Sequence, residues 1–80
     1  MRTGRPKVSL VLTADERTEL DSLAHRSRSA SALARRARIV LACAEGRTNQ
    51  AVAKRVRVAP GTVGKWRTRF VGDRVAGLFD

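Results

Sequence analysis

The spacing of apolar positions changes near the start of the chain. Over residues 7–12 every second side chain is apolar, which predicts a short extended segment, and a glycine and a proline disfavour a helix before it. Thr13 and Glu16 then have the spacing of a capping box, in which each side chain satisfies the other's backbone donor. We therefore predict an extended arm over residues 1–12, followed by a helix. A Ser-Arg-Ser cluster at 27–29 should end that helix.

Apolar stripes at helical spacing predict three more helices. The second should run from about Ser31 to Glu45 and stop at Gly46, because glycine adopts left-handed backbone angles freely. The third is predicted over Asn49–Val56, with Thr48 as its N-cap. The fourth begins at a proline, which is favoured at the first helical position, and ends near Gly72; residues 73–80 should add one more turn. In the second helix the predicted inward residues are Leu33, Ala37, Val40, Leu41 and Ala44, opposite Arg35 and Arg38.

Residues 50–66 have the apolar spacing of a helix-turn-helix. A small residue, Ala53, lies where the fourth predicted helix crosses the third, and aliphatic side chains end the third helix and fill the turn. The fourth helix contributes a buried pair, Val63 and Trp66. We predict an all-α domain over residues 13–80, with the helix-turn-helix at about 48–72.

Two positions depart from the usual motif. Arg57 occupies a place where glycine often accepts a positive φ, at a cost of roughly 1 kcal/mol if that geometry is kept. Ala59 replaces the Ser or Thr that usually caps the second helix of the motif, the fourth in the chain. The missing capping hydrogen bond lowers the stability by about 1 kcal/mol. Neither substitution removes the motif.

The charge indicates the kind of partner. The 80 residues contain 17 Lys and Arg against 7 Asp and Glu, a formal charge of +10 that favours an anionic polymer. Between Ser22 and Gly72 there are twelve basic residues and one acid, Glu45, a charge of +11. Four of the seven acids cluster near the predicted start of the first helix, where the helix dipole favours negative charge. They are Asp15, Glu16, Glu19 and Asp21.

The same composition argues against an enzyme. One cysteine, Cys43, and one histidine, His25, cannot supply a disulfide or a zinc site, and Cys43 lies in an apolar run as a small hydrophobic residue. We expect no catalytic residue, metal, cofactor or small-molecule substrate. No stretch approaches the length of a bilayer span, so we expect no membrane partner and a cytoplasmic location.

Double-stranded DNA is the expected partner. With Val63, Trp66 and Phe70 inward, the fourth helix should turn its opposite face to the major groove. A helical wheel assigns to that face Gly61, Gly64, Lys65 and Thr68, flanked by Thr62 and Arg69. The start of the third helix suits phosphate anchoring, with ordinary capping as the alternative.

Arg5, in a short Gly-Arg-Pro segment, is predicted to enter the minor groove, or else to belong to a tail that steers by charge. The Arg35, Arg36 and Arg38 group is predicted to be a solvated face that steers DNA by charge, with direct DNA contact as the alternative. The predicted contacts are Arg5, Thr48, Asn49, Gln50, Pro60, Gly61, Thr62, Gly64, Lys65, Thr68 and Arg69.

Four segments together resemble one protein family. They are Gly-Arg-Pro-Lys at 4–7, Leu-Thr-x-x-Glu-Arg-x-x-Leu at 12–20, Arg-Arg-Ala-Arg-Ile-Val-Leu-x-x-Ala-Glu-Gly at 35–46 and Ala-Gly-Leu-Phe-Asp at 76–80. These segments are similar to the N-terminal part of bacterial mariner-related insertion-sequence transposases. The resemblance implies a homeodomain-like domain that binds the terminal inverted repeats of its element. It also implies a separate catalytic domain with an acidic metal-binding triad, which we expect this chain to lack.

Other functions stay open at this stage. A stand-alone helix-turn-helix repressor would use the same domain, and a homodimer on DNA is compatible with either role. A basic RNA-binding protein is the alternative from another class, although aromatic residues for base stacking are scarce, because Trp66 and Phe70 are needed inside.

Overall fold

Helices account for the whole regular structure of the described chain. The computed structural model describes residues 10–25 and 31–79. Arm residues 1–9 with Arg5, the Ser-Arg-Ser cluster and Asp80 lie outside these ranges. In order come α1 (Ala14–His25), α2 (Ser31–Ala44), α3 (Asn49–Val56), α4 (Pro60–Asp73) and a 3₁₀ helix (Arg74–Phe79). The all-α prediction is confirmed, and the tail forms the predicted extra turn.

The predicted capping box begins α1. The Thr13 backbone N–H donates to Glu16 Oε1, and the Glu16 N–H donates to Thr13 Oγ1, both at 3.0 Å. Just before it, Leu10 is buried, so the end of the predicted arm is attached to the core. Leu20 and Ala24 continue the buried side along α1.

The α2 helix is buried on more sides than the sequence predicted. Ala37 and Val40 are fully buried as expected, but Ile39 is too, and the predicted Leu33 and Leu41 are only half-buried. The reason is that α1, α3, α4 and the 3₁₀ helix all pack against α2. One apolar stripe therefore does not describe its packing. The other buried residues of α2 are Ala34, Ala42 and Cys43.

The turns on either side of α3 have the predicted backbone and capping features. Gly46 follows α2 with φ of +89°, although α2 ends at Ala44, one residue earlier than expected. Thr48 caps α3 by accepting the Ala51 N–H at 3.1 Å. Arg57 ends α3 in the left-handed conformation, with φ of 69°. Ala59 is the N-cap residue of α4 and forms no side-chain capping hydrogen bond.

An ion pair joins the two ends of the described chain. Arg74, with φ of 58°, donates from Nη2 and Nε to the two carboxylate oxygens of Glu16 at 2.7 and 2.9 Å. It also donates to the Val11 carbonyl and lies over the Phe70 ring. The hydrogen bonds from Arg74, and then that from Thr13, lower the pKa of Glu16 from 4.5 to about 2. We call this Glu16–Arg74 pair the clasp.

Candidate nucleic-acid interface

The α4 helix has a buried side and an exposed side. Val63 and Phe70 are fully buried, and Trp66 is 5% exposed. Gly61, Lys65 and Thr68 are exposed on the opposite side, and we call these three residues the reading face. The orientation predicted for this helix is confirmed for these residues, and Pro60 at its start is exposed as well.

Trp66 is surrounded by cations. The Lys65 ammonium lies 4.9 Å from the ring centre, the Arg36 guanidinium 4.2 Å and the Arg69 guanidinium 5.3 Å. Such contacts stabilise a cation over an indole ring. Lys65 therefore places its ammonium over the ring while the residue stays exposed at the surface.

Gly64 does not lie on the exposed side where the helical wheel put it. It is half-buried, and a Cβ atom there would lie 3.4 Å from Asn49 Nδ2. The reason is that the start of α3 packs against α4 at this point. Thr62 and Arg69, the predicted flanking residues, are half-buried.

Arg67 connects α4 to the start of α3. Its Nε donates to Asn49 Oδ1 at 3.0 Å, and its Nη2 donates to the Arg47 carbonyl at 3.1 Å. Asn49 is thus half-buried and engaged inside the protein, whereas Thr48 and Gln50 are exposed. These contacts of Arg67 were not predicted, because no local pattern distinguishes this arginine from its exposed neighbours.

The prediction of a solvated arginine face on α2 is wrong for one of its three members. Arg36 is half-buried, and its Nη1 donates to the Leu78 carbonyl at 2.9 Å. Arg35 and Arg38 are exposed as predicted. Arg38 Nη2 also donates to the Ala24 carbonyl at 3.2 Å. Both contacts arise from packing of α2 against other helices.

The acids of the described chain do not neutralise the basic side chains near the reading face. Glu45 pairs with Arg47 at 2.9 Å, and this hydrogen bond lowers the pKa of Glu45. Within residues 10–25 and 31–79, Arg35, Lys54 and Lys65 form no ion pair. All three residues are exposed.

Other chemistry is sparse in the part of the chain that the structure describes. No group of three or more metal-ligating side chains occurs there. Cys43 is 2% exposed, and burial raises the pKa of its thiol. None of the helices in these ranges has the length and apolar character needed to cross a bilayer.

Comparison with known families agrees with this geometry. The model of the homeodomain-like domain matches residues 31–79, which contain α2, α3, α4 and the 3₁₀ helix. The chain belongs to the homeodomain-like family. A homeodomain-like helix-turn-helix indicates a DNA partner, and α1 and the clasp residue Glu16 lie outside the matched range. No curated protein and no solved structure matches the chain.

Proposed function

We propose that this homeodomain-like domain binds double-stranded DNA in a sequence-specific manner, with α4 in the major groove. The observation that carries the proposal is the two-sided α4 helix, which buries Val63, Trp66 and Phe70 and exposes the reading face. Lys65 can reach a guanine edge, and Gly61 has open space where a Cβ would be, so the backbone can approach the bases. Specificity rests on few side chains and should be modest.

Phosphate contacts then orient α4 on the duplex. Thr48 and Gln50 are exposed at the positive end of α3, which lies beside the start of α4. Asn49 contributes indirectly, because Arg67 occupies its Oδ1 atom. Thr68, Arg69 and Arg5 stay predicted contacts, and Arg5 would act in the minor groove.

For the biological target we propose the terminal inverted repeats of an insertion element. This rests on the resemblance of four segments, above all residues 35–46, to mariner-related transposases. In that role the domain recognises the element ends and does not itself cut DNA, since strand transfer needs converging carboxylates and metal ions. It would act at the bacterial nucleoid.

A salt titration, together with one test variant and one control variant, tests DNA binding. The logarithm of the affinity for duplex should fall against the logarithm of salt concentration with a slope of roughly −5 to −8, as for six to nine phosphate contacts. Lys65→Ala should weaken a selected site by about 1–3 kcal/mol more than random duplex. Arg55→Ala removes a charge on α3 away from the reading face and is the matched control. Equal losses on both duplexes would reduce Lys65 to a phosphate contact, and tighter binding to single-stranded RNA would favour the RNA alternative.

Selection from random duplexes identifies the target. The enriched sequence should occur as inverted repeats that bracket the gene, and gel-shift stoichiometry shows whether one or two copies bind. An enriched sequence found instead at a promoter would favour the repressor alternative.

A further inference from the structure

Two depressions lie on either side of the start of α4. The first, which we call the α3 depression, is lined by Gln50 and Lys54 from α3 and by Val58 and Pro60 from the turn and the start of α4. Lys54 is exposed at its rim. This depression therefore combines an open concave surface with a cation.

The second, the α2 depression, lies on the other side of the turn. It is lined by Arg35 and Arg36 from α2 and by Ala59 and Thr62 from the start of α4. Arg36 is held by the Leu78 carbonyl and the Trp66 ring. Arg35 is exposed, so it is the cation of this depression that is able to reach a ligand.

The dimensions of duplex DNA fit this arrangement. The major groove is about 12 Å wide, and an α-helix with its side chains is about 10–12 Å in diameter. A helix that enters the groove therefore has one phosphodiester strand on each side. The start of α4 has one depression on each side, and each depression has a cation that forms no ion pair with another described residue.

We infer that the two depressions receive the two strands of the duplex, so that Lys54 binds a phosphate of one strand and Arg35 a phosphate of the other. The inference rests on the proposed DNA binding and adds to it a two-strand contact that includes α2. The helix-turn-helix alone provides the cation of the α3 depression, Lys54, whereas Arg35 of the α2 depression comes from α2. Both residues contact the backbone and not the bases, so they contribute affinity without sequence preference.

Charge-removal variants provide the first measurement. Arg35→Ala and Lys54→Ala should each make the salt slope shallower by about 0.9, which corresponds to about eightfold weaker binding at about 0.1 M salt. The loss should be the same on the selected site and on random duplex. Arg55→Ala is the control, because Arg55 is exposed but lines a separate depression with His25 and Ala24. It should change the slope little, and melting curves of all three variants verify that they are folded.

Neutral phosphates provide the second measurement. A neutral methylphosphonate is substituted for one phosphate of the selected duplex at a time. The substitution weakens binding wherever a cation of the protein contacts the replaced phosphate. Arg35→Ala should abolish the effect at a position on one strand, and Lys54→Ala at a position on the opposite strand.

The outcomes separate the two proposals. If the unaltered protein shows no salt-dependent duplex binding, the proposed function itself is wrong. If that binding is present and Lys65→Ala discriminates between sites, but Arg55→Ala costs as much as Arg35→Ala, only the two-strand contact is overturned. The same holds if both variants affect phosphates of one strand.

Discussion

The clasp and the reading face treat their charges in opposite ways. At the clasp, Arg74 satisfies Glu16 and the Val11 carbonyl, and Thr13 and Glu16 satisfy each other's backbone donors. At the reading face, Lys65 has no acidic partner among the described residues. The start of α4 also has no side-chain cap, whereas α1 begins with a complete capping box.

The difference suggests how this small domain divides stability and binding. The complete capping box and the clasp carboxylate of Glu16 lie on the α1 side, outside the range matched by the family model, whereas Arg74 lies within that range. The α4 side gives up a cap and keeps uncompensated charge, which a polyanion can use. The following variants are expected to change one side without the other.

Gly77→Ala should have the largest effect, and it acts on the clasp side. A Cβ at buried Gly77 would lie 2.9 Å from the Arg69 carbonyl oxygen, so the 3₁₀ helix that carries Arg74 must move away from α4. We expect a loss of about 1–3 kcal/mol in the free energy of unfolding, measured in urea. Gly72→Ala, where a Cβ meets open space, is the control and should be neutral or slightly stabilising. Equal stability of the two variants would mean that the 3₁₀ helix does not pack as described.

The two helix starts should respond in opposite directions. Thr13→Ala removes the cap of α1 and should lower the free energy of unfolding by about 1 kcal/mol. Ala59→Ser supplies the missing cap of α4 and should raise it by about 1 kcal/mol, or roughly 4–8 °C in Tm. A lower Tm for Ala59→Ser would argue that Ala59 is not the N-cap residue and that α4 begins elsewhere.

Acid should weaken the clasp with the smallest effect, because ion pairs near the surface contribute little. The pKa of Glu16 is lowered to about 2, so its contribution is fully present above its ordinary value of 4.5 and is lost as the pH falls towards about 2. Thermal melts of the unaltered protein and Glu16→Gln should differ most above about pH 4.5 and converge in stronger acid. A constant difference across this range would contradict an ionised Glu16 as the origin.

Features encoded by neighbouring residues were predictable from the sequence. The capping box at Thr13, the bounds of α3 and the left-handed Arg57 all depend on contacts within four residues. The inward side of α4 followed from periodicity, because Val63, Trp66 and Phe70 repeat at helical spacing. Pro60 likewise located the start of this helix.

Contacts between distant residues were not predictable. Arg36 reaches a carbonyl 42 residues away, and Arg74 reaches a carboxylate 58 residues away. Periodicity assigns a side of a helix but does not determine which acceptor a long guanidinium finds. For the same reason Gly64, on the outward side of an isolated helix, lies beside Asn49 once α3 packs against it.

The cations around Trp66 also provide a spectroscopic consequence. The protein has one tryptophan and no tyrosine, so its intrinsic fluorescence reports a single indole. The centre of that indole ring lies 4.9 Å from the Lys65 ammonium of the reading face. When the ammonium moves to a base or a phosphate, the electric field at the ring changes and the emission should shift, so an unlabelled sample can report its own occupancy.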